Sequence, residues 1–367
     1  MSVLIPRPGI LQIDPYVGGR STIEGVEKVI KLSSNESALG PSPKAVAAFR
    51  ASAESLARYP DGGVHRLREA LGAHHGLDPE RIVCGNGSDE LIELLVRAYV
   101  GSGDEVLFTE HSFLIFWLVT LGVGAAPVTA PEKDLKADID ALLNRVSDRT
   151  RIVFLANPNN PTGSYVSRDE ISRLREALRE DVLLVIDGAY AEFVTRADYS
   201  SGFEFVDQDE NTVVIGTFSK IHGLATLRLG WAYCPASIAD VLNRLRAPFN
   251  VSGPTQAAGV AALQDEAHME EVRRHTETWR EWLTREIAGL GLKVYPSVCN
   301  FILVRFPSAT SAEAADAFLS SKGIIVRSVA RYGLADCLRI TIGQEDEMRA
   351  VAHALAEALV RETLSDG

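Results

Sequence analysis

Lys220 closes the run Gly216-Thr217-Phe218-Ser219-Lys220, and Arg228 follows it. A lysine at the rim of a sheet serves as a Schiff-base amine when desolvation or a nearby cation keeps part of it neutral. Most lysines are plain surface charges, so this one gains meaning from its company. Residues 182–186 are wholly apolar and end in Asp187, with Tyr190 close behind. A carboxylate leaving a buried strand needs a cation or strong donor beside it; otherwise it caps the next helix. The loop Asn157-Pro158-Asn159-Asn160-Pro161-Thr162-Gly163 is stiffened by its prolines, and either reverses the chain or holds its asparagines in place. Gly85-Asn86-Gly87-Ser88-Asp89-Glu90 leads from a strand into a helix, where glycine-loosened backbone N–H groups can gather an anion such as phosphate. The same run also reads as a tight turn with Ser88 or Asp89 capping the helix. A dinucleotide fingerprint needs glycine where Glu90 stands, which counts against hydride transfer with NAD.

The elements that must position these groups follow from periodicity. Strands are expected at 81–85, 105–108, 151–156, 182–187 and 212–217, alternating with amphipathic stretches. Residues 89–99 place Leu91, Leu94, Leu95 and Ala98 on one helical face, and a helix from Ser167 carries Ile171, Leu174 and Leu178 at similar spacing. This rhythm predicts a mostly parallel sheet covered by helices. All four motifs then fall at strand carboxyl ends, where open α/β sheets bind ligands. Independent caps and turns would rarely line up this way.

Residues 1–44, rich in Pro, Gly and Ser, read as an extended arm. The proline-free stretch from Pro254 to about residue 290 reads as one long helix leaving the sheet domain. Strands at 301–305, 324–327 and 338–342, with helices at 311–321 and 345–362, form an α/β layer too small to stand alone. At roughly 150 residues per domain, 367 residues imply about two domains. With 37 Lys+Arg against 49 Asp+Glu, the net charge of −12 opposes phosphate neutralisation and excludes a nucleic-acid partner. Cys84, Cys234, Cys299 and Cys337 lie far apart without metal-site spacing, as expected of buried thiols in a reducing cytoplasm. No apolar run reaches the roughly 18 to 20 residues of a membrane span.

In this order the four motifs resemble those of the fold-type I pyridoxal-phosphate enzymes, the aspartate aminotransferase superfamily, and most closely its histidinol-phosphate branch. The resemblance runs along nearly the whole chain. It includes Pro15-Tyr16-Val17-Gly18-Gly19, Leu32-Ser33-Ser34-Asn35-Glu36, Arg58-Tyr59-Pro60-Asp61 and Cys337-Leu338-Arg339-Ile340-Thr341. It implies an α/β fold of type I: a mostly parallel central sheet with flanking helices, a smaller α/β domain and an N-terminal arm. The division would be 1–44 as an arm packing on the partner subunit and small domain, 45–250 as the cofactor domain, and 251–367 as bridging helix and small domain. The cofactor would be pyridoxal 5′-phosphate, and the assembly a cytoplasmic homodimer with shared active sites.

Residue by residue, the resemblance makes Lys220 the cofactor-bearing amine and, once freed, the base that moves a proton between Cα and C4′. Asp187 would keep the pyridine nitrogen protonated, strengthening the electron sink. Asn160 and Tyr190 would donate to the phenolate oxygen O3′, and Phe113 would stack on the ring. Ser219 and Arg228, with Ser88 and Asp89 at the helix start and Thr217 as a further donor, would hold the phosphate. Tyr59 would reach it from the partner. Arg339, helped by Arg327, would bind the anionic end of the substrate, and Tyr16 would close the site from the partner's arm.

The activity implied is transamination between L-histidinol phosphate and 2-oxoglutarate. An aromatic amino-acid aminotransferase and a pyridoxal-phosphate decarboxylase of a phosphorylated amino acid are the alternatives on the same fold. A binding protein on a retired catalytic scaffold is the alternative outside enzymes. Three departures from the family pattern either alter the substrate pocket or are changes in the packing behind it: Ser37-Ala38 in place of Asn-Pro, His222 after the lysine motif, and Phe116 where tyrosine is common.

Overall fold

Seven strands form the central sheet of the computed structural model, which describes residues 4–6, 9–15, 18 and 20–365. In chain order they are β1 (Ile82–Gly85), β2 (Glu105–Thr109), β3 (Ala126–Ala130), β4 (Thr150–Ala156), β5 (Leu183–Asp187), β6 (Thr212–Thr217) and β7 (Gly230–Tyr233). Across the sheet the order is β1-β7-β6-β5-β4-β2-β3. From β6 to β3 the neighbours run parallel, while β7 lies antiparallel to both β6 and β1. Strands β4 to β6 are buried on both faces, and this is why their sequences read as apolar runs without alternation.

The five expected strands are present, each shifted by no more than a residue or so. Two were not expected. Strand β3 carries Pro127, tolerated because it stands at the edge of the sheet. Strand β7 is four residues long, too short to show a period.

Register explains how distant motifs meet. Gly85, Gly230 and Thr217 stand side by side across β1, β7 and β6, while Ala156, Asp187 and Ile215 do so across β4, β5 and β6. The four motifs therefore leave the sheet along one edge. The helix Ser88–Tyr99 starts there and is pinned by fully buried Leu91, Ile92 and Leu95, each contributing about 1.5–3 kcal/mol. Ser167 caps the helix Arg168–Ala177 with a complete capping box to Glu170.

The long helix expected beyond Pro254 is in fact two, Gly253–Leu263 and Glu266–Gly289. Asp265 leaves helical geometry at the break, and its carboxylate accepts from Ser42 Oγ at 2.5 Å and pairs with Lys44 at 3.1 Å. Ser42 lies 223 residues upstream of Asp265, so composition alone could not reveal the break.

The smaller layer is a four-stranded antiparallel sheet of β8 (Lys293–Tyr295), β9 (Phe301–Arg305), β10 (Arg327–Val329) and β11 (Leu334–Thr341), ordered β8-β9-β11-β10. The expected strand at 324–327 splits: Ile324–Ile325 pairs instead with Ile30–Lys31, in parallel. This pairing fixes the arm to the small layer and carries residues 33–36 towards the edge where the motifs gather. Helices Ala309–Ser321 and Glu345–Ser365 pack on this layer. No helix among the described residues is long and apolar enough to cross a membrane.

Candidate active site

A cavity of about 260 Å³ opens where the two layers meet the arm. Lys220 is half-buried there, its Nζ 3.4 Å from the Ser34 carbonyl oxygen and 5.7 Å from the centre of the Tyr190 ring. Burial, then the charge of Arg339, brings its pKa down to about 8 against the opposite pull of Asp89 and Glu36. The amine is therefore a usable nucleophile near neutral pH.

Asp187 ends β5, buried, and accepts the Ala189 backbone N–H at 3.0 Å. Burial pushes its carboxyl up to about 6, although that N–H bond and Lys220 favour the charged form. A buried acid with one backbone donor, facing a cavity, is suited to a cationic partner there.

Across the cavity, Ser88 and Asp89 begin their helix behind Gly87, whose φ of 86° and lack of a side chain are both used. A Cβ on Gly87 would stand 2.6 Å from Arg228 Nη2, and one on Gly230 would stand 2.2 Å from the Ser88 nitrogen. Glycine at both positions lets the guanidinium and the helix start converge. Arg228 reaches Asp89 at 3.1 Å and Ser219 Oγ at 3.4 Å. Thr217 lies behind, accepting the Ser219 N–H and donating to the Leu229 carbonyl. Helix start, hydroxyls and guanidinium together make an anion cup. Glu90, out of place for a dinucleotide motif, has a structural task here: its carboxylate accepts from the Asn86 N–H and from Asn250.

The remaining wall joins both layers. Phe113 lines the cavity and meets Phe116 edge-on at 6.0 Å. Arg339 donates to Asn160 Oδ1 and to the Ser33 carbonyl, the latter at 3.0 Å. In the small sheet it stands directly opposite Arg327, which also lines the cavity. Like charges at facing positions of a sheet repel, so this pair is suited to an anion held between them.

The structure thus brings together Ser88, Asp89, Phe113, Asn160, Asp187, Tyr190, Thr217, Ser219, Lys220, Arg228, Arg327 and Arg339. Tyr59 is apart from them: it is 84% exposed and stacks on Phe249 at 4.7 Å, away from its own chain's cavity. Tyr16 lies outside the described residues. Two of the three departures from the family pattern lie away from the cavity. Phe116 is fully buried and stacked on Phe154 at 4.3 Å, and His222 is buried against Phe218, where desolvation lowers its pKa to about 3. Neither lines the cavity.

Asn35 is a site residue that reasoning from the sequence missed. Its φ of 55° is left-handed, its Nδ2 donates to the Tyr190 hydroxyl at 2.8 Å, and its backbone N–H and Oδ1 both meet Thr341 Oγ1. Asparagine tolerates that conformation better than most residues, a signal that adds to its place in the matching run Leu32-Ser33-Ser34-Asn35-Glu36.

The family model described as "Aminotransferase class I and II" matches residues 27–355. The histidinol-phosphate aminotransferase of Paramagnetospirillum magneticum is 59% identical over 97% of this chain and 99% of its own length. That of Rhodospirillum centenum is 55% identical over 98% of this chain and 99% of its own. The crystal structure of histidinol-phosphate aminotransferase from Sinorhizobium meliloti in complex with pyridoxal-5′-phosphate superposes with a TM-score of 0.90 at 32% identity, covering 98% of this chain and 99% of that one.

Proposed function

The chain belongs to the aminotransferase class I and II family, and we propose that it moves the amino group of L-histidinol phosphate to 2-oxoglutarate, giving imidazole acetol phosphate and L-glutamate in histidine biosynthesis. Its cofactor is pyridoxal 5′-phosphate. The donor set fits that group: a depressed amine, a buried acid and an anion cup cleared by two glycines line one cavity. When bound, the cofactor supplies an electron sink for the charge left at the substrate's Cα.

The protein's part is to hold, orient and move protons. Lys220 would hold the cofactor through its amine and, when that amine is free, would serve as the base for the proton at the substrate's Cα. Asp187 would keep a proton on the ring nitrogen. Asn160 and Tyr190 would donate to the phenolate oxygen, with Asn35 holding the Tyr190 hydroxyl in place. The helix-start N–H groups of Ser88 and Asp89, with Thr217, Ser219 and Arg228, would hold the phosphate group, and Phe113 would cover the ring. Exposed Tyr59, stacked on Phe249, completes the phosphate site of a second copy in a cytoplasmic homodimer.

The observation that carries the substrate reading is the facing pair Arg327 and Arg339. Both substrates end in an anion, a phosphate monoester in one and a distal carboxylate in the other, and each takes its turn at the same two guanidinium groups. Arg339→Ala is expected to raise KM for both substrates by about 10²-fold, the equivalent of about 3 kcal/mol of charged hydrogen bonding, while cofactor affinity changes little. Steady-state kinetics beside a cofactor titration checks this. Equal losses of substrate and cofactor binding would place Arg339 at the cofactor instead.

The Lys220 environment gives a pH prediction. Only the unprotonated amine attacks a carbonyl, so Lys220 in cofactor-free protein should react with an aldehyde faster as pH rises, with a midpoint near 8. A midpoint near 10.5, the value of an unperturbed lysine, would contradict the desolvated environment.

A further inference from the structure

The segment that delivers Phe113 is held by a contact outside the cavity. His111 Nδ1 lies 2.9 Å from Glu132 Oε2, and the His111 backbone N–H donates to Glu132 Oε1 at 3.3 Å, so one carboxylate grips both N–H groups of the same residue. The Glu132 side chain is 1% exposed and that of His111 15%. Glu132 sits on a two-stranded hairpin (Glu132–Lys133 with Lys136–Ala137), and the Leu135 carbonyl at its turn accepts from Ser164. The His111 carbonyl in turn accepts from Asn159 Nδ2 at 3.1 Å, and the same amide donates to Thr162. Asn159 directly precedes Asn160. On the small-layer side, a Cβ at Gly333 would make ordinary contact with His111 Nε2 at 3.7 Å, and the neighbouring Tyr332 lines the cavity.

We propose that His111, gripped by Glu132, is a positioning residue whose imidazolium form fixes residues 109–113 so that Phe113 lies against the cofactor ring, and which holds that segment less tightly on losing its charge. The inference rests on the reading that Phe113 covers the cofactor. Charge around the imidazole supports the protonated form. Burial alone would disfavour it, but the bond and charge of Glu132 and the charge of Glu110, 3.8 Å away, outweigh burial and raise the pKa above the ordinary 6.5. Arg305 on β9 opposes them, and it is itself paired with Asp336 at 2.8 Å. Since the pKa is raised, the charge-assisted grip is complete below it and weakens to neutral hydrogen bonds as pH rises through it.

The test titrates cofactor-free wild type, E132Q, F113L and the double variant with pyridoxal 5′-phosphate across pH, while NMR follows the His111 imidazole. Lys220 titrates in all four, so differences between them isolate His111. We expect the E132Q exchange to lower the His111 midpoint and to weaken cofactor binding at low pH by about tenfold, the scale of one charge-assisted hydrogen bond. Above the wild-type midpoint the two proteins should bind alike, and in the F113L background E132Q should cost nothing more. His111→Gln, the second variant should E132Q not fold, is expected to give the weakened affinity at every pH. Wild-type affinity in E132Q, or losses that multiply with those of F113L, would overturn the inference while leaving the Phe113 reading intact. Wild-type affinity in F113L would overturn both.

Discussion

Lys220→Ala is expected to abolish transamination, lowering kcat by about 10⁴-fold or more, because covalent attachment and the proton-moving base are lost in one change. The anion cup, Asp187 and the wall at Phe113 remain, so the variant should still bind pyridoxal 5′-phosphate, now released by gel filtration and without the shifted absorbance of the lysine-linked form. Absorbance spectra beside single-turnover kinetics check both halves. Turnover retained within tenfold of wild type would remove Lys220 from the chemistry.

Asp187→Asn should have the next largest effect, about 10³-fold on kcat, the loss seen when a fixed charge is withdrawn from where charge develops. Asparagine keeps the shape but cannot stabilise a proton on the ring nitrogen. The same variant makes a prediction for cofactor-free protein that runs the other way. The Asp187 carboxyl is raised from 3.8 to about 6 by burial, so the folded state holds its proton more tightly than the unfolded chain does. Its contribution to stability is complete below about pH 4 and is lost as pH rises through 6, a change on the order of 2–3 kcal/mol. Thermal melts of cofactor-free wild type should show that decline between pH 4 and 7, and those of Asp187→Asn should not. Bound cofactor should suppress the decline in the wild type, since a cation beside Asp187 favours its charged form.

Much of this site could be read along the chain because its parts are local. The apolar run before Asp187, the prolines around Asn159 and Asn160 and the glycines before Ser88 each declare a strand end or a turn within a few residues. What could not be read there depends on pairing at a distance. Arg327 and Arg339 are separated by a turn in sequence, but only the register of their strands makes them face each other. Asn35 reaches Tyr190 because Ile30–Lys31 pairs with Ile324–Ile325, nearly 300 residues away. Phe116 stands where the family commonly has tyrosine, and the helix Ile115–Gly122 turns it inward onto Phe154. The His111 and Glu132 contact joins a loop to a hairpin 21 residues on, with no motif to announce it.

On this reading, one pocket with two facing arginines takes a phosphate-bearing amino donor and a dicarboxylate acceptor in turn. The most direct measurement is kcat/KM for histidinol phosphate, phenylalanine, tyrosine and histidine as donors, each with 2-oxoglutarate. Histidinol phosphate is predicted to lead by about 10²-fold or more, the value of a phosphate held by both guanidinium groups. Phenylalanine or tyrosine turned over as well as histidinol phosphate would contradict it.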